Sequence, residues 1–192
     1  MDCTPKFLLA VIFLFACAAA MAQTPSYSNV GRAPSDQEIR AWDIAIGPAG
    51  KELPPGSGTA KEGAEIYTKK CSACHMPNLE GGKLGPALVG GKGTLNTMTP
   101  VRTVGSFWAF ATTVYDFINR AMPKKAEGSL TPNELYSLTA YILYKNDIVK
   151  ETEVLDAQTL PKIKMPNRDG FFPNPWPDYK NFNKLCPIGT CR

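Results

Sequence analysis

The chain is poor in histidine: it has one, His75, in 192 residues. No second imidazole is available to complete a metal or cofactor site. Charge is nearly balanced, with 21 Lys and Arg against 17 Asp and Glu, a net +4. No run interleaves aromatic and basic residues. Nothing in the balance points to nucleic acid, and a weakly basic surface hints only at an acidic partner. Carboxylates are scattered. Asp43, Glu134 and Asp169 read as caps or solvated charges, not as a general acid and base, so no catalytic residues are expected. The chain shows no internal repeat and no βαβ alternation. Beyond Ala22 no apolar run approaches the ~20 residues of a membrane span.

What is present begins with a leader. Lys6 supplies a positive start, Phe7 to Ala20 is apolar, and Ala20-Met21-Ala22 is an A-x-A cleavage site. The expectation is an exported protein with residues 1–22 removed, located in the periplasm. A retained anchor would need a longer apolar run. A lipoprotein acylated at Cys17 is the weaker reading, because Phe15 sits badly at the inner position of Leu14-Phe15-Ala16. Removing 22 of 192 residues leaves 170, enough for one domain with a real core but not two.

Cys71-Ser72-Ala73-Cys74-His75 carries the chemistry. C-x-x-C-H is the attachment signature of a c-type haem. Two thiols at that spacing add across the two vinyl groups of one porphyrin, and the adjacent histidine falls under the ring and binds the iron. The only histidine of the chain stands at that place. A zinc site would want further Cys or His ligands, and only a distant C-terminal pair exists. A thioredoxin-like pair should follow a strand in a βαβ unit. One covalent haem c is expected on Cys71, Cys74 and His75. Of the remaining cysteines outside the leader, Cys186 and Cys191 bracket Pro187-Ile188-Gly189-Thr190. In an oxidising compartment they read as a small disulfide loop, with free thiols or a metal site as the alternatives.

The pattern along the chain is mostly helical. Residues 23–58 form an N-terminal arm rich in Gly, Pro and Ser, with one short helix signalled by the capping box of Ser35 and Glu38. Trp42 and Ile46 offer that arm an apolar grip. A domain over 59–147 opens with a helix from Ala60 to Lys70, in which Gly63 costs ~1 kcal/mol against alanine and so calls for the close approach of another helix. A loop from Met76 to Gly93 follows. Phe110, Val114, Phe117 and Ile118 predict a second helix over Trp108 to Ala121, stopped by Pro123. Thr131, Pro132 and Glu134 open a third, running to about Asn146 with Leu135, Leu138, Tyr141 and Ile142 inward. Residues 148–192 read as an extended C-terminal arm.

A haem iron with one histidine needs a sixth ligand, and methionine is the natural one. Met76 is adjacent to His75 and cannot reach the opposite face. Met98 lies in a polar loop. Met122, before Pro123 and ahead of the last helix, is favoured, and Met165 in the tail is the alternative. Either could instead be core filling.

In this order, residues 59–147 resemble a class I cytochrome c: first helix, C-x-x-C-H, a Gly85-Pro86-Ala87-Leu88 loop, Met122-Pro123, last helix. The resemblance implies a monohaem fold in which the Pro86 carbonyl accepts the His75 N–H. It also implies that Gly63 and Tyr67 meet Leu138 and Tyr141 where the first and last helices cross. In that family haem is attached outside the cytoplasm in bacteria, which agrees with the leader. A narrower set covers most of the mature chain: Gly31-Arg32, Ala41 to Ile44, Leu53 to Gly58, Thr103 to Trp108, Leu138 to Leu143 and Met165 to Phe171. It resembles the cytochrome subunits that partner molybdenum sulfite dehydrogenases and the related sulfane dehydrogenase. The chain departs from two-haem members in having a single C-x-x-C-H.

The resemblance implies an electron-transfer subunit without a catalytic site of its own. It would take electrons from a molybdenum sulfite or sulfane dehydrogenase and pass them to a downstream cytochrome c or oxidase. A free-standing shuttle to a terminal oxidase is the alternative, and an open-site peroxidase or gas sensor stands behind it. The arms would either dock the partner, with Trp42, Phe171, Phe172 and Trp176 as anchors, or wrap the haem domain.

Overall fold

The computed structural model describes residues 30–171. The leader, Cys17, Phe172, Trp176 and the Cys186–Cys191 loop lie outside the described residues. Two compact units divide between Asp43 and Ile44.

In the first unit, α1 (Asp36–Trp42) is set by its ends. The Ser35 hydroxyl accepts from the Glu38 amide, the Glu38 carboxylate accepts from the Ser35 amide, and Arg32 pairs with the same carboxylate. None of its residues is buried, and Trp42 is 87% exposed. Ile46 belongs to the second unit and is buried there.

The second unit is mostly helical. A Thr59–Glu62 capping box opens α2 (Ala60–Lys70), which passes at Cys71 into the single turn α3 (Ser72–His75). Next come α4 (Ala111–Ala121) and α5 (Pro132–Tyr144), the latter opened by Thr131, Pro132 and Glu134 as its sequence predicts. Helix α2 crosses α5 at close range. A Cβ built on Gly63 would lie 2.0 Å from the Ser137 carbonyl oxygen and 2.7 Å from the Tyr141 Cβ. Tyr67 meets Tyr141 with ring centroids 5.3 Å apart. The glycine therefore nests on the Ser137 backbone, one residue before the expected Leu138. Leu138 is buried beside it in the core with Leu135, Ile142, Val114, Ile118 and Leu79.

Helix α4 starts three residues later than its periodicity predicts. Phe110 is extended (φ −135°, ψ 136°) and forms an antiparallel bridge with Lys164. The Arg168 guanidinium lies 4.0 Å from the centre of its ring, and the Asn167 side-chain amide donates to the Phe107 carbonyl at 2.7 Å. A distant segment has captured residues that would otherwise have wound into the helix. Phe117, expected on the inner stripe, is 44% exposed and packs edge-on against Trp108.

The same pairing shows what the chain on either side of the haem-motif domain does. Ile46 and Leu53 are buried before it, and Val149, Leu155, Leu160 and Met165 after it. Two short strands, β1 (Ser57–Gly58) and β2 (Leu155–Asp156), pair antiparallel with Gly58 opposite Leu155. A 3₁₀ turn over Leu160–Lys162 follows. Residues 44–58 and 149–165 thus wrap the helices and share their core. Phe171 is half exposed and meets Phe107 edge-on at 5.3 Å.

Candidate haem-attachment site

The site is built on the join of α2 and α3. The Cys71 amide donates to the Tyr67 carbonyl, closing α2, and the Cys74 and His75 amides both donate to the Cys71 carbonyl, closing the single turn. One short turn thereby brings Cys71, Cys74 and His75 together. Neither cysteine is in a disulfide; Cys74 is exposed and Cys71 half-buried. Burial pushes the Cys71 thiol up to about 11. His75 is 9% exposed.

The histidine ring is held by the loop that follows. Its Nδ1 lies 2.8 Å from the Pro86 carbonyl oxygen. A carbonyl only accepts, so Nδ1 carries the proton and Nε2 keeps its lone pair for a metal. Gly85 makes this contact possible. A Cβ there would stand 2.9 Å from both Nδ1 and Cε1 of the ring and 3.1 Å from the Cys74 carbonyl oxygen.

The loop is pinned in turn. Leu79 is fully buried, its carbonyl accepts the Leu88 amide at 2.8 Å, and the Gly82 amide donates to the Gly85 carbonyl at 2.8 Å. The Asn146 side-chain amide donates to the Leu88 carbonyl at 3.0 Å and to the Ile142 carbonyl at 2.8 Å, joining the loop to the end of α5. The Thr103 hydroxyl donates to the Gly90 carbonyl at 2.6 Å and Ser106 to that of Val101 at 2.7 Å. Such contacts outside the ligands fix ligand orientation. Thr103 and Ser106 fall in the Thr103 to Trp108 set that carries the narrower resemblance, and Asn146 at the expected end of the last helix, but the sequence alone gives none of the three a role in holding the loop.

Met122 caps α4, its amide donating to the Ile118 carbonyl, and its side chain is half-buried against the core. Met165 is 1% exposed inside that core. Asp116 was also missed. It is buried on α4, accepts the Ile46 amide at 2.9 Å and pairs with Arg120 one turn on. No group of three or more His, Cys, Asp or Glu suited to an ion occurs among the described residues.

The donor set fits a c-type haem: two unpaired thiols on one turn, and an imidazole whose outer nitrogen is occupied by a carbonyl while the other is left for iron. Two likenesses agree with it. Residues 58–142 match the family described as cytochrome c oxidase, cbb3-type, subunit III. No curated protein matches the chain in sequence. Among solved structures, a chain in the crystal structure of the sulfane dehydrogenase SoxCD from Paracoccus pantotrophus is similar. It is 36% identical, with a TM-score of 0.71, over 85% of this chain and 82% of that one. The chain belongs to the cytochrome c family and has its class I fold.

Proposed function

We propose that this protein is the exported, monohaem electron-transfer subunit of a molybdenum-containing sulfane or sulfite dehydrogenase. The observation that carries the reading is the reach of its likeness to SoxCD. It spans 85% of the chain, whereas the cytochrome family match stops at residues 58–142. A likeness that reaches beyond the haem-motif domain favours a dedicated subunit over a minimal shuttle.

Cys71 and Cys74 would hold the haem covalently, and His75 would bind iron through Nε2. Met122 would supply the second iron ligand, since it ends a helix half-buried, whereas Met165 is spent on the core. The bound group supplies a one-electron couple, and histidine–methionine ligation places its potential high. The protein's part is orientation. Pro86 holds the His75 proton at Nδ1. That keeps the imidazole in the ligating tautomer and makes it a stronger donor. The 76–93 loop lies over His75 and leaves it 9% exposed. Electrons would arrive from the molybdenum subunit and leave to a periplasmic cytochrome or an oxidase.

The test is a visible spectrum of the oxidised native complex, before and after adding sulfite or a sulfane donor. Growth of the reduced haem α band supports the assignment. Full reduction by dithionite with none by either donor would leave a cytochrome and remove the sulfur partner.

A further inference from the structure

Met76, directly after the haem motif, has φ 64° and ψ 159°. That region belongs almost wholly to glycine, and a side chain there costs on the order of 1–3 kcal/mol unless its surroundings enforce it. Two groups hold the Met76 carbonyl: the Leu79 amide at 3.1 Å and the Tyr67 hydroxyl at 2.8 Å. Tyr67 is 1% exposed, and burial raises its phenol, which therefore remains a donor. Its own carbonyl meanwhile accepts the Cys71 amide at 2.9 Å. One residue of α2 thus grips both ends of the five-residue motif, by its backbone before Cys71 and by its side chain after His75.

We propose that Tyr67 is a positioning residue for haem ligation: its hydroxyl enforces the strained Met76 turn, which aims the 76–86 loop so that the Pro86 carbonyl meets His75. The inference rests on the proposed haem ligation at His75. The chain after Met76 supports it. The Gly81 amide returns to the His75 carbonyl at 3.0 Å, so the turn, the loop and the ring contact form one closed circuit. The ring of Tyr67 packs on Tyr141, whereas its hydroxyl has no partner there. Packing and hydrogen bonding are separable in this residue.

The experiment uses the haem-loaded full chain and its Tyr67→Phe variant, which keeps the ring. Hydrogen exchange in the ferrous protein is read at the Leu79 and Gly81 amides and at His75 Nδ1–H. Loss of one hydrogen bond predicts about fivefold faster exchange at these three sites. Amides in the middle of α4 and α5 should keep their rates. Unchanged rates at the three sites, or an equal acceleration everywhere, overturns the proposal, the second because it reports packing alone. Met76→Gly removes the strain, so Tyr67→Phe with Met76→Gly should recover most of the lost protection. No recovery overturns it. Should Tyr67→Phe alone fail to retain haem, the double variant decides: haem retained supports the clamp and haem lost refutes it. A wild-type chain without covalent haem would instead strike at the function proposed above.

Discussion

Gly63→Ala sets two physical effects against each other in one residue. Judged by helix propensity alone, alanine in the interior of α2 should stabilise by about 1 kcal/mol. The structure predicts the reverse. The new Cβ would stand 2.0 Å from the Ser137 oxygen and 2.6 Å from its carbonyl carbon. Both atoms are backbone within α5 and cannot rotate away. Relief requires the two helices to part by more than an ångström at their crossing. Overpacking of this kind typically costs 1–3 kcal/mol, and a rigid backbone target belongs at the top of that range. Parting the helices also loosens the Tyr67–Tyr141 contact, a pair of the kind worth about 0.5–1.5 kcal/mol. The net expectation is a loss of about 2.5–3.5 kcal/mol, or a drop in Tm of roughly 5–14 °C for a protein of this size. Thermal unfolding of the haem-loaded protein, followed in the far ultraviolet and at the haem band, measures it. Lys61→Ala, on the exposed side of the same helix, serves as control. A Gly63→Ala protein as stable as wild type, or more so, would refute the crossing geometry.

Asp116→Ala leaves the buried Ile46 amide without its acceptor, and urea unfolding should show a loss of about 1–3 kcal/mol; a change below about 0.5 kcal/mol would mean the contact is dispensable. The Glu134 carboxyl is held below its ordinary range, first by the Lys70 ammonium and then by the Thr131 amide. A carboxylate depressed in the folded state adds stability that is complete above its unfolded value near 4.5 and fades as pH falls through the folded value. Glu134→Gln should therefore flatten the acid side of the stability profile and lower the plateau at neutral pH; parallel wild-type and variant curves would contradict this. Met122→Ala should abolish the far-red charge-transfer band of methionine-ligated ferric haem and open the iron to carbon monoxide in the ferrous state. Met165→Ala should keep that band and lose about 2–5 kcal/mol of stability as a core truncation; the opposite pairing of results would assign the ligand to Met165.

The helix starts were legible because capping chemistry is local. Ser35 and Thr131 each stand three residues before a glutamate, and each forms the reciprocal box; Thr59 forms the same box with Glu62, a signal the sequence offers and the sequence reading missed. The attachment turn was legible for the same reason, since its spacing is its chemistry. The illegible parts depend on distant chain. Phe110 looked helical by periodicity and was drawn into an extended bridge by Lys164 and Arg168, more than fifty residues away. Leu155, Leu160 and Met165 lie among prolines, lysines and threonines, too sparse for any period, and yet all three are fully buried. Asp116 sits on an amphipathic helix like any surface acid. Only the fold reveals that the Ile46 amide waits opposite it.

The pairing of Gly58 with Leu155 gives the segment between them a closed contour. Its first and last residues meet, and the attachment turn lies within the ring so formed. Domains whose ends meet tolerate being cut elsewhere and rejoined. New termini opened in the exposed stretch from Lys124 to Gly128, with the wrapping segments kept and their outer ends joined by a linker, should still yield a protein that takes up haem. The order of residues along the chain is then incidental to the site, and the closed ring of chain around it is what the sequence has to encode.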